Sequence, residues 1–175
     1  MRRLMLLRHA RSDWSGSGKA DHDRMLSARG REAAPRMGRY LARENLLPDR
    51  VIVSDSARTR ETWDIVAQAL PNQPQVSFEE RIYEASPYDI LDVLSETPAA
   101  SKALLVVGHN PGLQSVAMIL VGSGDPDARE RLAEKFPTAG LAVIDFDAAR
   151  WDDIRAGSGR LIRFAAPRAI ADASD

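Results

Sequence analysis

Short apolar runs alternate with longer stretches of helical period along this chain. Leu4 to Leu7, Val51 to Val53, Val76 to Phe78, Leu104 to Val107, Leu141 to Phe146 and Leu161 to Phe164 read as strands, several of them apolar on both faces, as buried parallel strands are. Between the first two runs, Ser27 is placed to cap a helix that carries Ala33, Met37, Tyr40 and Leu41 on one face. Pro35 lies inside that helix. An interior proline costs about 3 kcal/mol through a lost hydrogen bond and a clash, so a kink or a later start is expected there. Further helices are predicted from about Ser56 to Leu70, from Pro87 to about Glu96 and from Pro111 to Val121. Gly122-Ser-Gly-Asp-Pro126 reads as a turn whose Asp125 and Pro126 suit the cap and first position of one more helix, ending before Pro137. Gly16-Ser-Gly18 and Gly157-Ser-Gly159 read as flexible connections, residues 171–175 as a frayed tail, and Met5 and Met118 as core. Strand and helix alternating in this way predict an α/β fold of three layers, a mostly parallel central sheet with helices on both faces.

Length and composition narrow the function. A chain of 175 residues suits one compact domain spanning 1–175. With 44% hydrophobic and 28% charged residues it is too apolar to be disordered and too charged for a membrane protein. The formal net charge of −1 gives no long-range attraction for polyanions, so nucleic acid is not an expected partner. Without cysteine, disulfides, zinc-thiolate sites and a cysteine nucleophile are excluded. The apolar stretch near the N-terminus ends at Arg8, which is not the pattern of a secretion signal, and the longest apolar run, Val116 to Val121, is far below the ~20 residues of a membrane span. A soluble, cytoplasmic protein is expected, with its oligomeric state open.

In open α/β sheets ligands bind beyond the carboxyl ends of the strands. Arg8 and His9 directly follow the first run, Ser54 and then Arg58 follow the second, and His109 follows Leu104 to Gly108. If these strands are parallel, two histidines and two arginines meet at one rim, together with the positive end of the helix starting at Ser56. Two arginines grip a phosphoryl group by paired hydrogen bonds, and a neutral imidazole can attack its phosphorus. Guanidinium groups would repel a cation placed beside them, so neither a metal nor another cofactor is expected. Arg58 competes with Arg60 for the ligand role, and Arg60 reads as a solvent or salt-bridge arginine. His22 reads as a loop histidine, Asp21 and Arg24 as ties between their loop and the rim, and Ser12 and Trp14 as pocket lining or loop anchors.

These residues resemble a family. RHA at Arg8 to Ala10, SDSARTRET at Ser54 to Thr62 and GHNP at Gly108 to Pro111 are similar to motifs of the histidine phosphatase (phosphoglycerate mutase-like) superfamily. RHARSDW, the segment Asp21 to Gly30 and IYEAS at Ile82 to Ser86 are most similar to its SixA-type phosphohistidine phosphatase branch, and the likeness runs from Leu4 to about Pro167. The resemblance implies that His9 is the phosphorylated nucleophile, Arg8 and Arg58 phosphate ligands, and His109 the second histidine that stabilises the transferring group. It puts Glu84 where many relatives have a proton donor, although a loop cap is an equal reading. Ala10 departs from the usual glycine. The implied activity is hydrolysis of a phosphorylated substrate, a protein phosphohistidine or another phosphomonoester, without a metal. The alternatives are a small-molecule phosphomonoesterase or mutase, and a catalytically silent phosphate-binding module.

Overall fold

The computed structural model describes residues 1–14 and 18–170. Gly16 and Ser17 of the first glycine-rich connection, and the tail 171–175, lie outside the described residues. In chain order the elements are β1 (Arg2–Arg8), α1 (Ala28–Arg43), β2 (Arg50–Ser54), α2 (Ala57–Ala67), β3 (Gln75–Glu79), α3 (Pro87–Ser95), β4 (Ala103–Gly108), α4 (Gly112–Leu120), β5 (Val121–Gly124), α5 (Pro126–Glu134), β6 (Leu141–Phe146) and β7 (Gly159–Ala165), with short 3-10 turns between some of them.

The strands form a seven-stranded sheet in the order β3-β2-β4-β1-β6-β7-β5. Pairs on the β3 side of β1 are parallel, whereas β6 runs antiparallel to both β1 and β7. The fold is thus α/β and mostly parallel, as expected. Period-two alternation explains the layers. Leu4 and Leu6 of β1 face a cluster with Ile90, Leu94, Val116 and Leu132 of α3, α4 and α5, while Met5 and Leu7 face the opposite cluster, with Met37 and Leu41 of α1 and Trp63 and Val66 of α2.

Local signals set most helix starts. Ser27 accepts a hydrogen bond from the Gly30 amide, Ser56 from Thr59, and Asp125 from Ala128, while Ser86 and Asp89 close a capping box ahead of α3. Four expectations need correction. Of the kink or later start expected at Pro35, the later start is not found: α1 runs from Ala28 to Arg43 with Pro35 inside it, because the fully buried Ala34, Met37 and Leu41 recover more by burial than the proline costs. Gly122 to Gly124 are not a turn but β5, paired with β7. A Cβ at Gly122 would come within 1.9 Å of the Gly157 carbonyl oxygen, so the glycine there permits close approach of two backbones. Gly159, read as part of a flexible connection, is buried and opens β7. Met5 is core, but Met118 is 48% exposed, since α4 buries its other side through Leu113, Val116, Ala117 and Leu120.

Candidate active site

The site is created by strand register. Arg8 of β1 lies opposite Gly108 of β4, so the residues that follow each strand, His9 and His109, emerge side by side, with the His9 amide on the Gly108 carbonyl at 3.0 Å. Their ring centroids are 5.3 Å apart. β2 pairs with β4 up to Val53 and Val107, which brings Ser54 to the same edge. All four predicted rim residues, Arg8, His9, Arg58 and His109, line one cleft of about 1140 Å³, and Glu84 lines it too.

His9 is held by its own neighbour. Its Nδ1 lies 2.7 Å from the Ala10 carbonyl oxygen, which can only accept, so Nδ1 carries the proton and Nε2 is left with its lone pair in the cleft. Ala10 is itself fixed, its amide donating to the Thr62 hydroxyl at 3.0 Å. Burial pushes His9 down to about 4, the arginines of the site adding to the effect against the opposing hydrogen bond to Ala10. Burial, then the proximity of His9, pushes His109 down to about 3. Both imidazoles are therefore neutral near pH 7. His109 Nε2 pairs with the Ser54 hydroxyl at 2.8 Å, and its buried Nδ1 has no partner.

The two arginines are anchored and underused. Arg8 Nη1 donates to the Phe136 carbonyl at 2.9 Å, and Arg58 gives Nη1 to the Asp21 carbonyl at 2.8 Å and Nη2 to the Asp21 carboxylate at 3.1 Å. The buried Nε atoms of both lack partners. Burial and then the like charge of Arg58 lower the Arg8 guanidinium below its ordinary value, a tension that a bound anion relieves. Asp21 works as a hub: it accepts from Tyr83, Arg24 and Arg58, and the Tyr83 bond is the leading cause that brings it down to about 2. Burial, then Asp21, pushes the Tyr83 phenol up to about 12. The arrangement can bind a dianionic phosphoryl group, present a neutral imidazole to its phosphorus and surround its oxygens with donors.

Other candidates fall into place around these. Arg60 turns away, its Nε on the Asp55 carbonyl at 2.8 Å and its guanidinium 4.0 Å from the centre of the Phe78 ring. Asp21 and Arg24 tie their loop to the rim as expected, Arg24 also reaching the Ser12 hydroxyl at 2.7 Å and stacking 3.6 Å from the Trp14 ring centre. His22 is more than a loop histidine: its Nε2 lies 3.0 Å from Asp55 Oδ1 and its ring meets Tyr83 edge-on at 4.9 Å. The exposed Glu84 enters no hydrogen bond or ion pair among the described residues, and it sits on left-handed backbone at φ 52°. Sequence reasoning missed Tyr83, whose one signal was its place inside the IYEAS segment, and it missed the Phe136 carbonyl, for which no sequence signal exists. Among the described residues no group of three or more histidine, aspartate or glutamate side chains is placed to hold a metal, and no helix is long and apolar enough to cross a membrane.

Comparison with known proteins gives one consistent likeness. The model of the histidine phosphatase superfamily (branch 1) matches residues 4–90. An uncharacterized protein of Mycobacterium tuberculosis is 35% identical over 164 residues, covering 93% of this chain and 100% of that protein. A structure of a protein from Nakamurella multipartita, provisionally named phosphohistidine phosphatase SixA, is 31% identical with a TM-score of 0.82, covering 96% of this chain and 97% of that one. Another of the same provisional name, from Agrobacterium tumefaciens, is 29% identical with a TM-score of 0.80, covering 95% and 98%.

Proposed function

The chain belongs to the histidine phosphatase superfamily, and on that premise we propose that it is a metal-independent phosphohistidine phosphatase of the SixA type that works through a phosphoenzyme on His9. The observation that carries the reading is the His9 imidazole, neutral, its proton fixed on Nδ1 by the Ala10 carbonyl and its Nε2 open to a cleft lined by Arg8, Arg58 and His109. Nε2 attacks the phosphorus in line with the leaving group, the new nitrogen–phosphorus bond forms, and the leaving group departs with the bonding pair. Water then attacks the phosphorus of the phosphohistidine, the bond to Nε2 breaks with its electron pair returning to Nε2, and inorganic phosphate leaves carrying the water oxygen and both its protons. Arg8, Arg58 and the Nδ1 side of His109 stabilise the charge on the equatorial oxygens throughout.

The choice of phosphohistidine over a phosphate ester rests on Glu84. An alkoxide needs a positioned acid, whereas an imidazole, with an ordinary pKa near ~6.5, leaves without one. Glu84 is exposed and held by no hydrogen bond among the described residues, which is poor positioning for an acid. The names of the structural relatives from Nakamurella and Agrobacterium support the same class.

The test is a side-by-side turnover assay, in strong chelator, on a phosphohistidine protein, a sugar phosphate and an aryl phosphate. Quenched enzyme should carry an acid-labile, base-stable phosphoryl group on His9. His9→Ala should abolish turnover while phosphate binding stays measurable. A fully active His9→Ala variant or loss of activity on chelation would overturn the mechanism, and preference for the sugar phosphate would overturn the substrate class.

A further inference from the structure

Charge is distributed unevenly in this protein. Elsewhere on the surface several arginines are paired with carboxylates, Arg3 with Asp145, Arg81 with Glu79 and Glu96, Arg150 with Asp152 and Arg163 with Glu44. In the cleft Arg24 and Arg58 are paired with Asp21, but a second set of cations is not paired. Arg11, Arg29, Lys135 and Arg168 line it beyond the phosphoryl site, all exposed, and their side chains enter no hydrogen bond or ion pair among the described residues. Arg36 lines it as well, its one bond given to the Ile170 carbonyl. Against them in the lining stand Glu32 and Glu84, since Asp21 is committed to Arg58, Arg24 and Tyr83.

These cations come from four segments: the loop after β1, the face of α1 at Arg29, Glu32, Ala33 and Arg36, the end of α5, and the turn after β7. The spacing of the α1 residues is that of one helix face, turned to the cleft. The first two segments are held together. Ser27 donates to the Arg11 carbonyl from its amide at 2.8 Å and its hydroxyl at 3.1 Å, and a Cβ at Gly30 would lie 2.1 Å from that same oxygen. A chain of net charge −1 thus keeps an unpaired basic apron beside its nucleophile.

We infer that the apron receives carboxylates carried by the phosphorylated protein next to its phosphohistidine, so that the preferred partner is a protein with an acidic surface around the modified histidine. This deepens the phosphohistidine reading and rests on it. Cations dispersed along an exposed wall match several carboxylates spread over a protein surface, whereas a second compact phosphate would call for donors converging on one point. Because the apron charges are exposed, they act on encounter and on substrate binding, not on the chemical step.

The test uses phosphohistidine peptides whose residues flanking the phosphohistidine are glutamate, alanine or lysine, with phosphoramidate as a small substrate free of any flank. The full chain should favour the glutamate peptide in kcat/KM, with an advantage that shrinks as salt is raised and with kcat nearly constant. Arg29→Ala combined with Arg168→Ala should lower kcat/KM for the glutamate peptide by about 3- to 10-fold, the effect of losing two exposed charge contacts. Arg29→Glu should shift the preference toward the lysine peptide, a reversal that damage to the fold cannot produce. Arg150→Ala, away from the cleft, should change nothing. Equal kcat/KM for the three peptides overturns the apron while leaving the phosphohistidine reading in place. Turnover of an aryl phosphate with none of any phosphohistidine peptide overturns both. Apron variants that impair a diphosphorylated sugar and spare the peptides overturn the protein partner in favour of a small polyanion.

Discussion

Ser54 and His109 meet across the carboxyl ends of β2 and β4, hydroxyl to Nε2 at 2.8 Å, both buried. The contact fixes the ring of a histidine whose other nitrogen has no partner, and so points Nδ1 at whatever enters the site.

Ser54→Ala should leave a second buried nitrogen of His109 unsatisfied, with Ser56 the nearest substitute at 3.5 Å. An unpaired buried polar group costs about 1–3 kcal/mol, so turnover should fall roughly 5- to 150-fold. Phosphoryl transfer to His9 should persist in quenched samples. Wild-type turnover in the variant would show that the serine does not orient His109.

Arg58→Ala should weaken vanadate binding far more than Arg60→Ala. A charge-assisted hydrogen bond contributes roughly 1.5–3 kcal/mol, or about 10- to 100-fold in affinity. Arg60 is spent on the Asp55 carbonyl and the Phe78 ring. Equal losses in the two titrations would mean that the ligand is misassigned.

Glu84→Gln should slow hydrolysis of an alkyl phosphate much more than that of phosphohistidine, because only the alkoxide requires protonation and a positioned acid contributes ~10²–10⁴-fold. Comparable losses on both substrates would contradict the leaving-group argument. No loss on either would make Glu84 a loop residue.

Acid should act on stability and activity through the two histidines. Folding lowers His9 to about 4 and His109 to about 3, so each imidazole binds its proton more weakly folded than unfolded. Below the ordinary value near ~6.5 the unfolded chain takes up protons that the folded chain refuses, and their contribution to stability declines as pH falls until it passes the folded values. Above ~6.5 they impose no slope. Since the nucleophile must be neutral, kcat/KM should hold down to about pH 5 and drop below about pH 4. Denaturant titrations across this range provide the stability arm; an acid limb of kcat/KM near ~6.5 would show that His9 is not depressed.

Much of this was legible without coordinates, because side-chain periodicity and capping are local. Six of the strands, the caps at Ser27 and Asp125, the helix start near Ser56, and the placing of Arg8, His9, Arg58 and His109 after strand ends follow from residues within a few positions of one another. β5 left no such trace, since Gly122 contributes by lacking a side chain where the Gly157 backbone approaches, and Pro35 was outvoted by burial that depends on the whole sheet. The antiparallel course of β6 depends on which neighbours β1 acquires, a matter of long-range pairing. Which donor meets which acceptor was decided by register. The alignment of Arg8 with Gly108 joins His9 to His109, and only the folded chain brings Tyr83 and Arg58 to Asp21, or Phe136 to Arg8. The sequence by itself determined the element types and the chemical character of the rim, because both are written in near neighbours. The tertiary structure alone decided the tautomer of His9, the partners of the arginines and the unpaired apron, because each depends on groups far apart in the chain that burial and strand pairing bring within a few ångströms.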